Sequence, residues 1–442
     1  MSSHRNDSTK IASSFSRRQF AHMAGIAGGG LLAGAGLPSR ATAQPSGTVK
    51  FFMVAGASEE PAWRGLVDAF NAQNTGVTVE FELMFGSWDE MYRKLRGYIE
   101  AGDSPDLVRH MATGIATWSA SGELEDLNPY VTRDSFSLEP FFPSPFEALT
   151  LDGKLWGMPP GIYTTACFYN KDLFQQAGIT APTDWANPWT FDELRLAALE
   201  MTSGEGPRKQ FGMSVSMSMD LTAPYLWSNG GDIVNAERTK CVINEPAAVE
   251  ALQFQRDLIH EDKVAPTPTD TQTIPASELF NTGRVAIMEG GPWLIPSMQD
   301  SGVDWGVMPY AKGTGDPATV SFIDYYGIQS ASQNKDAAWE VLKFFMSAEA
   351  EQILADNRIG GVPARTEVAE QNADAIFERD GQVWVGSLAV ARAHHVIRGQ
   401  AEAVNAYTRE IDLVRLNEKS VQEAADAVAA EVDALIAEEQ SA

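Results

Sequence analysis

The most constraining feature of this chain is a regular alternation of strand-like and helix-like segments near its N-terminus. Residues 48–54 form a short apolar run, and apolar side chains recur at helical spacing after Ser58. Residues 77–83 alternate apolar and polar side chains, a second helix is indicated from Ser87, and a third apolar run begins at Asp106. This strand–helix–strand–helix–strand order predicts a largely parallel sheet with helices on both faces.

The loops that follow these strands are candidate walls of a binding site. Open parallel sheets bind their ligands beyond the carboxyl ends of the strands. The loops in question are 56–60, 85–88 and 109–113.

The rest of the chain predicts more structure of the same kind. Its 442 residues exceed a single ordinary core, so two lobes are expected. Capping boxes are predicted at Ser87, Thr190 and Ser420, each with Glu three residues later. The further predicted elements are a hairpin turn at 151–154, strands at 165–169, 285–288 and 322–329, and helices at 171–177, 191–201, 246–260, 335–346 and from 420 onward.

The first 43 residues have the pattern of a twin-arginine signal peptide. The segment SRRQF at 16–20 precedes a weakly apolar, Gly- and Ala-rich stretch at 21–37. The small residues of the ATA segment at 41–43 predict cleavage before Gln44, and an uncleaved N-terminal anchor is the alternative. Because neither cysteine lies near that position to carry a lipid, we expect a Gram-negative periplasmic location.

Charge and cysteine content narrow the possible partners. The formal net charge is −26, which argues against binding nucleic acid or anionic lipid. Cys167 and Cys241 are the only cysteines, and Cys167 lies in an apolar run that favours a core position. A disulfide between them is possible in a periplasm, but a domain of this size does not need one.

Sequence signatures of enzymes are absent. There is no Walker loop, His-Glu-x-x-His, Cys-x-x-Cys or Gly-x-Ser-x-Gly motif, and the histidines lack metal-ligand spacing. We therefore predict a non-enzymatic protein without a metal or cofactor. A pair of carboxylates that become neighbours only in the fold stays open, because such a pair leaves no sequence signature.

Aromatic residues give the clearest indication of the ligand. Sugars offer C–H faces that stack on indole and phenol rings, while polar side chains bind their hydroxyls. Several aromatic residues are predicted in loops or at strand ends: Trp88, Trp227, Trp293, Tyr163, Tyr325 and Tyr326.

Several ordered motifs resemble one family. They are GKLWGMP at 153–159, FYNKDLF at 168–174, WTFDEL at 189–194, NGG at 229–231, GRVAIM at 283–288 with GPW at 291–293, and NKDAAWE at 334–340. In this order they resemble the extracellular solute-binding proteins of ABC importers, in the carbohydrate branch that includes maltose-binding protein.

The resemblance implies a fold of the type II periplasmic binding protein kind, with two doubly wound α/β lobes joined by a three-crossing hinge. Lobe one would span 44–160 plus 327–361, and lobe two 161–326 plus 362–442. The crossings would lie near 160–163, 321–326 and 360–363.

The resemblance also implies ligand contacts, position by position. They are Glu59 or Glu60 after the first strand, Trp88 after the second, Arg109 or Met111 after the third, Tyr163 at the first crossing, Trp227, Asn229 and Trp293 in lobe two, Tyr325 and Tyr326 at the second crossing, and Arg358 at the third.

The implied function is capture of a carbohydrate or polyol by a monomer, closure of the lobes on it, and delivery to the permease subunits of an importer. Three alternatives stay open on the sequence. They are a binder of glycerol phosphate or another small polar solute, using Arg109, Arg358 and the amides at 290–291, a periplasmic carbohydrate-active enzyme, and a receptor subunit that reports to a sensor.

Overall fold

The computed structural model describes residues 45–272, 274–298, 301–359, 361–377, 379–395, 397 and 399–441. The predicted signal peptide and Gly360 at the third predicted crossing lie outside these residues. Within the described part of the chain, no helix combines the length and apolarity needed to cross a lipid bilayer.

The strands of the described residues are short, apart from three of eight to ten residues. They are β1 (Gly47–Val54), β2 (Val77–Met84), β3 (Leu107–Met111), β4 (Thr150–Leu151), β5 (Lys154–Leu155), β6 (Gly161–Thr164), β7 (Ala166–Asn170), β8 (Ile287–Gly290), β9 (Trp305–Met308), β10 (Thr319–Ile328), β11 (Val362–Pro363) and β12 (Ala391–Arg392).

Helices separate most of these strands, and short 3₁₀ turns occur at Ala57–Glu59, Ala112–Gly114, Gly206–Arg208 and Pro292–Leu294. The helices are α1 (Glu60–Ala72), α2 (Trp88–Glu100), α3 (Ile115–Ala120), α4 (Asn128–Arg133), α5 (Pro143–Ala148), α6 (Lys171–Ala177), α7 (Phe191–Glu200), α8 (Met219–Ser228), α9 (Pro246–His260), α10 (Ala276–Asn281), α11 (Ile295–Met298), α12 (Lys335–Phe345), α13 (Ala348–Asp356), α14 (Thr366–Phe377), α15 (Gly381–Ser387), α16 (Gln400–Arg415) and α17 (Val421–Ser441).

The first sheet has the strand order β11-β6-β10-β3-β1-β2, with β12 also paired to β10. Strands β1, β2 and β3 are parallel, as the sequence predicted. Strand β10 runs antiparallel to both β3 and β6, and β11 pairs antiparallel with β6. The carboxyl ends of β1 to β3 therefore lie at one edge of the sheet. The N-terminal half of β10 extends beyond this edge and pairs with β6.

A second, three-stranded sheet has the order β8-β7-β9. The predicted strand at 285–288 is shifted to Ile287–Gly290, because Val285 instead bridges to Phe211. Two large hydrophobic cores form, one on each of the two larger sheets, and a third, small cluster contains Ala223, Trp227, Ala318 and Val320. The first core includes Phe51, Trp63 and Trp339, and the second includes Phe168 and Trp384.

The three predicted crossings correspond to neighbouring strands. Strand β6 lies between β10 and β11, and all three lead from the first sheet toward the second core. The predicted α/β architecture of two lobes and three crossings is thus confirmed, whereas the residue boundaries given for the lobes stay a prediction.

Local signals placed several elements correctly. Ser87 and Thr190 form complete capping boxes with Glu90 and Glu193, and α6 ends at Gly178, whose φ of 67° is left-handed. Helix α9 has the predicted bounds to the residue.

The disulfide that the sequence left open is not formed. Cys167 and Cys241 are both free and buried. Burial raises the pKa of both thiols, that of Cys241 to about 11, so each is a neutral core side chain at physiological pH.

Candidate ligand-binding site

Polar and aromatic side chains meet where the first sheet continues into the crossing strands. Arg109 lies on β3, Tyr163 on β6 and Asp324 on β10. Tyr326 opposes Arg109 and Phe322 opposes Tyr163, so alternate residues of β10 share one face of the sheet with both. We call five residues the polar–aromatic cluster: Glu59, Trp88, Arg109, Tyr163 and Asp324.

The Arg109 guanidinium is the centre of this cluster. Its Nη2 donates to Asp324 Oδ2 and, at 3.1 Å, to the Tyr163 hydroxyl, and its Nη1 donates to the Val54 carbonyl at 3.4 Å. Arg109 is 5% exposed and Asp324 is 6% exposed. Burial is the largest single effect and lowers the pKa of Arg109, but Asp324, Tyr163, Glu59 and Tyr326 act together against it and raise that pKa overall. Burial also raises the pKa of Asp324, and the charge and hydrogen bond of Arg109 oppose that rise. Each group of the ion pair thus stabilises the charge of the other before any ligand arrives.

Two indole rings flank the same guanidinium. The Cζ atom of Arg109 lies 4.8 Å from the ring centroid of Trp63 and 5.5 Å from that of Trp88. Trp88 is the first residue of α2, so the capping box at Ser87 fixes its backbone. These cation–π contacts orient the Trp88 ring at the strand edge.

Glu59 brings a second carboxylate to the cluster. It precedes α1, and the Trp63 indole Nε1 donates to its Oε2 at 3.0 Å. Burial raises the pKa of the Tyr163 hydroxyl, with Arg109 opposing and the charge of Glu59 adding to the rise, so Tyr163 is a neutral hydroxyl. Two carboxylates and one guanidinium give the ionised cluster one net negative charge.

Trp293 presents an exposed ring beside the crossing strands. It lies in the 3₁₀ turn after β8 and is 44% exposed. Its ring meets that of Phe322 edge to face, with centroids 5.6 Å apart. A Cβ atom at Gly291 would lie 2.1 Å from the Trp293 ring, so a larger residue there would displace the indole from its position over the backbone. Trp293 thus offers an aromatic face next to Phe322, the β10 residue that pairs with Tyr163.

The two tyrosines predicted at the second crossing lie on the crossing strand β10, but their side chains are buried. Tyr325 and Tyr326 are both 0% exposed. Tyr325 stacks on His110 with centroids 5.2 Å apart, and Tyr326 packs against Phe51 and Phe345 on the opposite face. Because β10 is an interior strand with helices on both faces, neither ring is accessible to a ligand.

Trp227 and Asn229 have structural contacts outside the polar–aromatic cluster, and Trp227 packs with Ala223, Ala318 and Val320. Trp227 lies within α8, not in a loop or at a strand end as predicted, and its Nε1 donates to Asp232 Oδ1 at 2.9 Å. Asn229 ends that helix and accepts from the Thr314 amide at 3.1 Å. The structure does not bring either residue to the polar–aromatic cluster.

Glu60 and Arg358 occupy helix ends. Glu60 begins α1 and accepts a hydrogen bond from Arg64 Nε at 2.7 Å, four residues along the helix. Arg358 follows α13 with an exposed side chain and a left-handed φ of 58°.

Met111 borders a separate cavity of about 280 Å³, here called the hinge cavity. Ile162, Ser321 and Ile323 form its floor, and they alternate along their strands with Tyr163 and Asp324. The hinge cavity therefore lies mainly on the face of the crossing strands opposite the polar–aromatic cluster, although Phe322, which pairs with Tyr163, also lines it. Its other walls include Ala116, Glu147, Arg238, Leu388, His394 and His395.

Sequence reasoning missed Asp324 and Phe322. The signal available was a single carboxylate inside the otherwise apolar and aromatic segment SFIDYYGI at 321–328. A charged residue in a buried strand requires a partner. That partner, Arg109, is 215 residues away and could not be identified from local pattern.

The arrangement is suited to binding. Glu59 and Asp324 both face Arg109, whereas an acid/base pair of a glycosidase needs two carboxylates on either side of an open space for the substrate. Stacking surface is offered by Trp88 and Trp293, and hydrogen-bonding capacity by Tyr163 and Glu59. Within the described ranges, no group of His, Cys, Asp or Glu side chains is placed to hold a metal ion.

Comparison with solved structures gives closely similar folds. An ABC substrate-binding protein from Listeria monocytogenes, solved in complex with cycloalternan, is 26% identical, with a TM-score of 0.81 over 88% of this chain and 99% of that one. The maltose-bound T. maritima MalE3 protein is also 26% identical, with a TM-score of 0.73 over 88% of this chain and all of that one.

Sequence comparison agrees. A binding protein of Brucella abortus (strain 2308) is 28% identical over 413 residues, which is 92% of this chain and 98% of the relative. The family of bacterial extracellular solute-binding proteins matches residues 56–352. This chain therefore belongs to the bacterial extracellular solute-binding protein family.

Proposed function

We propose that this protein is the exported substrate-binding component of an ABC importer and that it captures a neutral carbohydrate or polyol between its lobes. The observation that carries the proposal is the exposed Trp293 ring, which packs against Phe322, the β10 residue paired with Tyr163 of the polar–aromatic cluster. Trp293 supplies a stacking surface, and the polar–aromatic cluster supplies hydroxyl and carboxylate groups.

The chemistry of this pairing matches that of a sugar. The C–H faces of a pyranose or polyol stack on indole, while their hydroxyls exchange hydrogen bonds with Tyr163 and Glu59. The ligands bound in the two similar structures, cycloalternan and maltose, are carbohydrates. These two observations support the same class of ligand.

Closure of the lobes is the mechanism of capture. A ligand that touches Trp293 on one side and the polar–aromatic cluster on the other has more contacts in the closed form than in the open one. Only this difference in affinity can shift the equilibrium toward closure. The closed monomer then delivers its cargo to the membrane subunits of the permease, with no covalent step.

The route of export is part of the proposal. The SRRQF and ATA segments support twin-arginine export with cleavage before Gln44. Neither cysteine lies near residue 44 to carry a lipid, and we therefore propose the periplasm as the site of action.

The proposal is tested by a thermal-shift screen of the protein against neutral sugars, polyols, sugar phosphates and amino acids. A ligand at one hundred times its Kd stabilises the folded state by about 2.7 kcal/mol through mass action. Trp293→Ala should remove most of that shift with the preferred neutral sugar or polyol. Leu196→Ala, on the 66% exposed side chain of a surface helix, should keep it and serves as the matched control.

A third variant locates the site independently. Ala116→Leu narrows the hinge cavity on the other face of the crossing strands. Loss of binding in this variant, with full binding in Trp293→Ala, would show that the ligand binds in the hinge cavity instead. A screen in which amino acids alone stabilise the protein would contradict the carbohydrate or polyol assignment.

A further inference from the structure

We propose that Asp324 is a specificity-determining residue, which makes the site select neutral ligands and reject anionic ones. The inference rests on the proposed function, because it assigns the charge class of the ligand at the same site. It concerns a side chain that has no expected contact with the ligand.

The first step is that Asp324 binds a hydrogen-bond donor of Arg109 that an anionic ligand would need. One side-chain nitrogen, Nη2, donates to both Asp324 and Tyr163, and Nη1 donates to the Val54 carbonyl. The planar face of the guanidinium is covered by Trp63 and Trp88. A phosphate or carboxylate that binds arginine in two-point fashion needs Nη2 together with Nη1 or Nε. Asp324 and Tyr163 already hold Nη2, and Nε is buried without a hydrogen-bond partner.

The second step is the sign of the local charge. Glu59 acts electrostatically on Arg109, Tyr163 and Asp324, so it belongs to the same charge group. With both acids ionised, the group carries one net negative charge. An anionic ligand would have to enter a partly buried site against this charge, where the repulsion is screened less than at the surface.

The third step is that the pair is built into the fold. Arg109 is on β3 and Asp324 is on the adjacent antiparallel strand, near-neighbours on one face of the sheet. Asp324 is therefore present whether or not a ligand is bound. With Arg109 and Asp324 paired to each other, the group that remains for a ligand to bind is the neutral hydroxyl of Tyr163.

The test compares Asp324→Asn with the unmodified protein. Asparagine keeps the shape and an oxygen that can accept from Arg109, but it removes the negative charge. The probes are matched pairs of neutral and anionic compounds, namely glucose with glucose 6-phosphate, maltose with maltose 1-phosphate, and glycerol with glycerol 3-phosphate. The dissociation constants are measured by isothermal titration calorimetry at low and high salt.

We expect the unmodified protein to bind the neutral member of a pair at least ten-fold more tightly than the anionic one. Asp324→Asn should reduce this ratio about ten-fold at low salt and less at high salt. Asp103→Asn is the matched control, because it removes the same charge from an exposed ion pair with Lys50. The control should leave the ratio unchanged.

A second variant keeps the proposal testable should Asp324→Asn fail to fold. Glu59→Gln removes the other negative charge but leaves the Arg109–Asp324 pair and an acceptor for Trp63. It should shift the ratio in the same direction. A folded Asp324→Asn or Glu59→Gln protein with an unchanged ratio overturns the inference.

The outcomes separate the two proposals. An unmodified protein that prefers the anionic probes overturns the role of Asp324 while solute capture stands. An unmodified protein that binds none of the six probes, nor any neutral compound of the thermal-shift screen, overturns the proposed ligand class and this inference with it.

Discussion

Glu289 shows how strongly burial acts on a single residue of this fold. It lies on β8 next to Cys167 of β7 and near the phenols of Tyr225 and Tyr310. Burial raises its pKa to about 7, against an opposing hydrogen bond from the Ser216 amide. The carboxyl group therefore changes charge near physiological pH inside the second core.

This shift predicts a pH-dependent stability that one substitution removes. Because the folded-state pKa of Glu289 exceeds the unfolded value of 4.5, its stabilising contribution is full below pH 4.5 and is lost as pH rises through 7. Glu289→Gln stays neutral and can still accept from the Ser216 amide. It should raise the free energy of unfolding at pH 8 by about 3 kcal/mol and have little effect at pH 4.5.

Chemical denaturation at pH 4.5 and pH 8 measures this difference. Glu139→Gln, at an exposed position, should show the pH dependence of the unmodified protein. An equal pH dependence in Glu289→Gln and the unmodified protein would mean that Glu289 is solvated, contrary to its buried position.

At the scale of secondary-structure elements, local signals explain what the sequence could predict. The capping boxes at Ser87 and Thr190 and the left-handed Gly178 depend on residues within a few positions of each other, so pattern alone located those helix ends. The ten-residue β10 is different. It pairs with β3, β6 and β12, all distant in sequence, and these pairings decide that Tyr325 is buried while Phe322 meets Trp293.

The third crossing strand depends on one glycine. Gly361 precedes β11 with a φ of +73°, and a Cβ atom there would lie 2.7 Å from the Ile162 carbonyl oxygen of β6. Gly361→Ala therefore combines left-handed strain of about 1–2 kcal/mol with a steric conflict that costs a further 1–3 kcal/mol. The free energy of unfolding should fall by the sum of the two.

Gly102→Ala separates these contributions. Gly102 has a nearly equal φ of +72° but no atom within 4 Å of the added Cβ, so it reports the strain alone. Urea denaturation should show a larger loss for Gly361→Ala than for Gly102→Ala. Equal losses would show that β11 moves away from β6 at little cost and is not a fixed part of the hinge.

At the scale of the whole molecule, the two cores are what make capture possible. Each sheet has its own core, and three neighbouring strands connect them. The family resemblance predicted two lobes joined by three crossings, because the order of the motifs along the chain is typical of that fold. The resemblance could not predict which residues contact the ligand. Which loops face one another depends on the angle between the lobes, and motifs do not report that angle. Thus Trp88, Arg109 and Tyr163 come together, whereas Trp227 does not.

Capture by closure has a consequence for pairs of substitutions. Trp293 belongs to the second core's side of the site and Glu59 to the first, so a ligand that bridges the lobes needs both. Each truncation alone, Trp293→Ala or Glu59→Ala, removes its own contact and also the reason for closure. We expect each to weaken binding by about 2 kcal/mol, roughly thirty-fold.

The double variant should lose much less than the sum of the two single losses. Once one truncation prevents closure, the ligand rests on one lobe, and the contact on the other lobe is no longer available to be lost. Titration calorimetry of the four proteins gives an interaction free energy of about 1–2 kcal/mol, within the range seen for coupled residues. Additive losses would instead mean that Trp293 and Glu59 contact the ligand independently in a site that is already closed, and lobe movement would then have no part in capture.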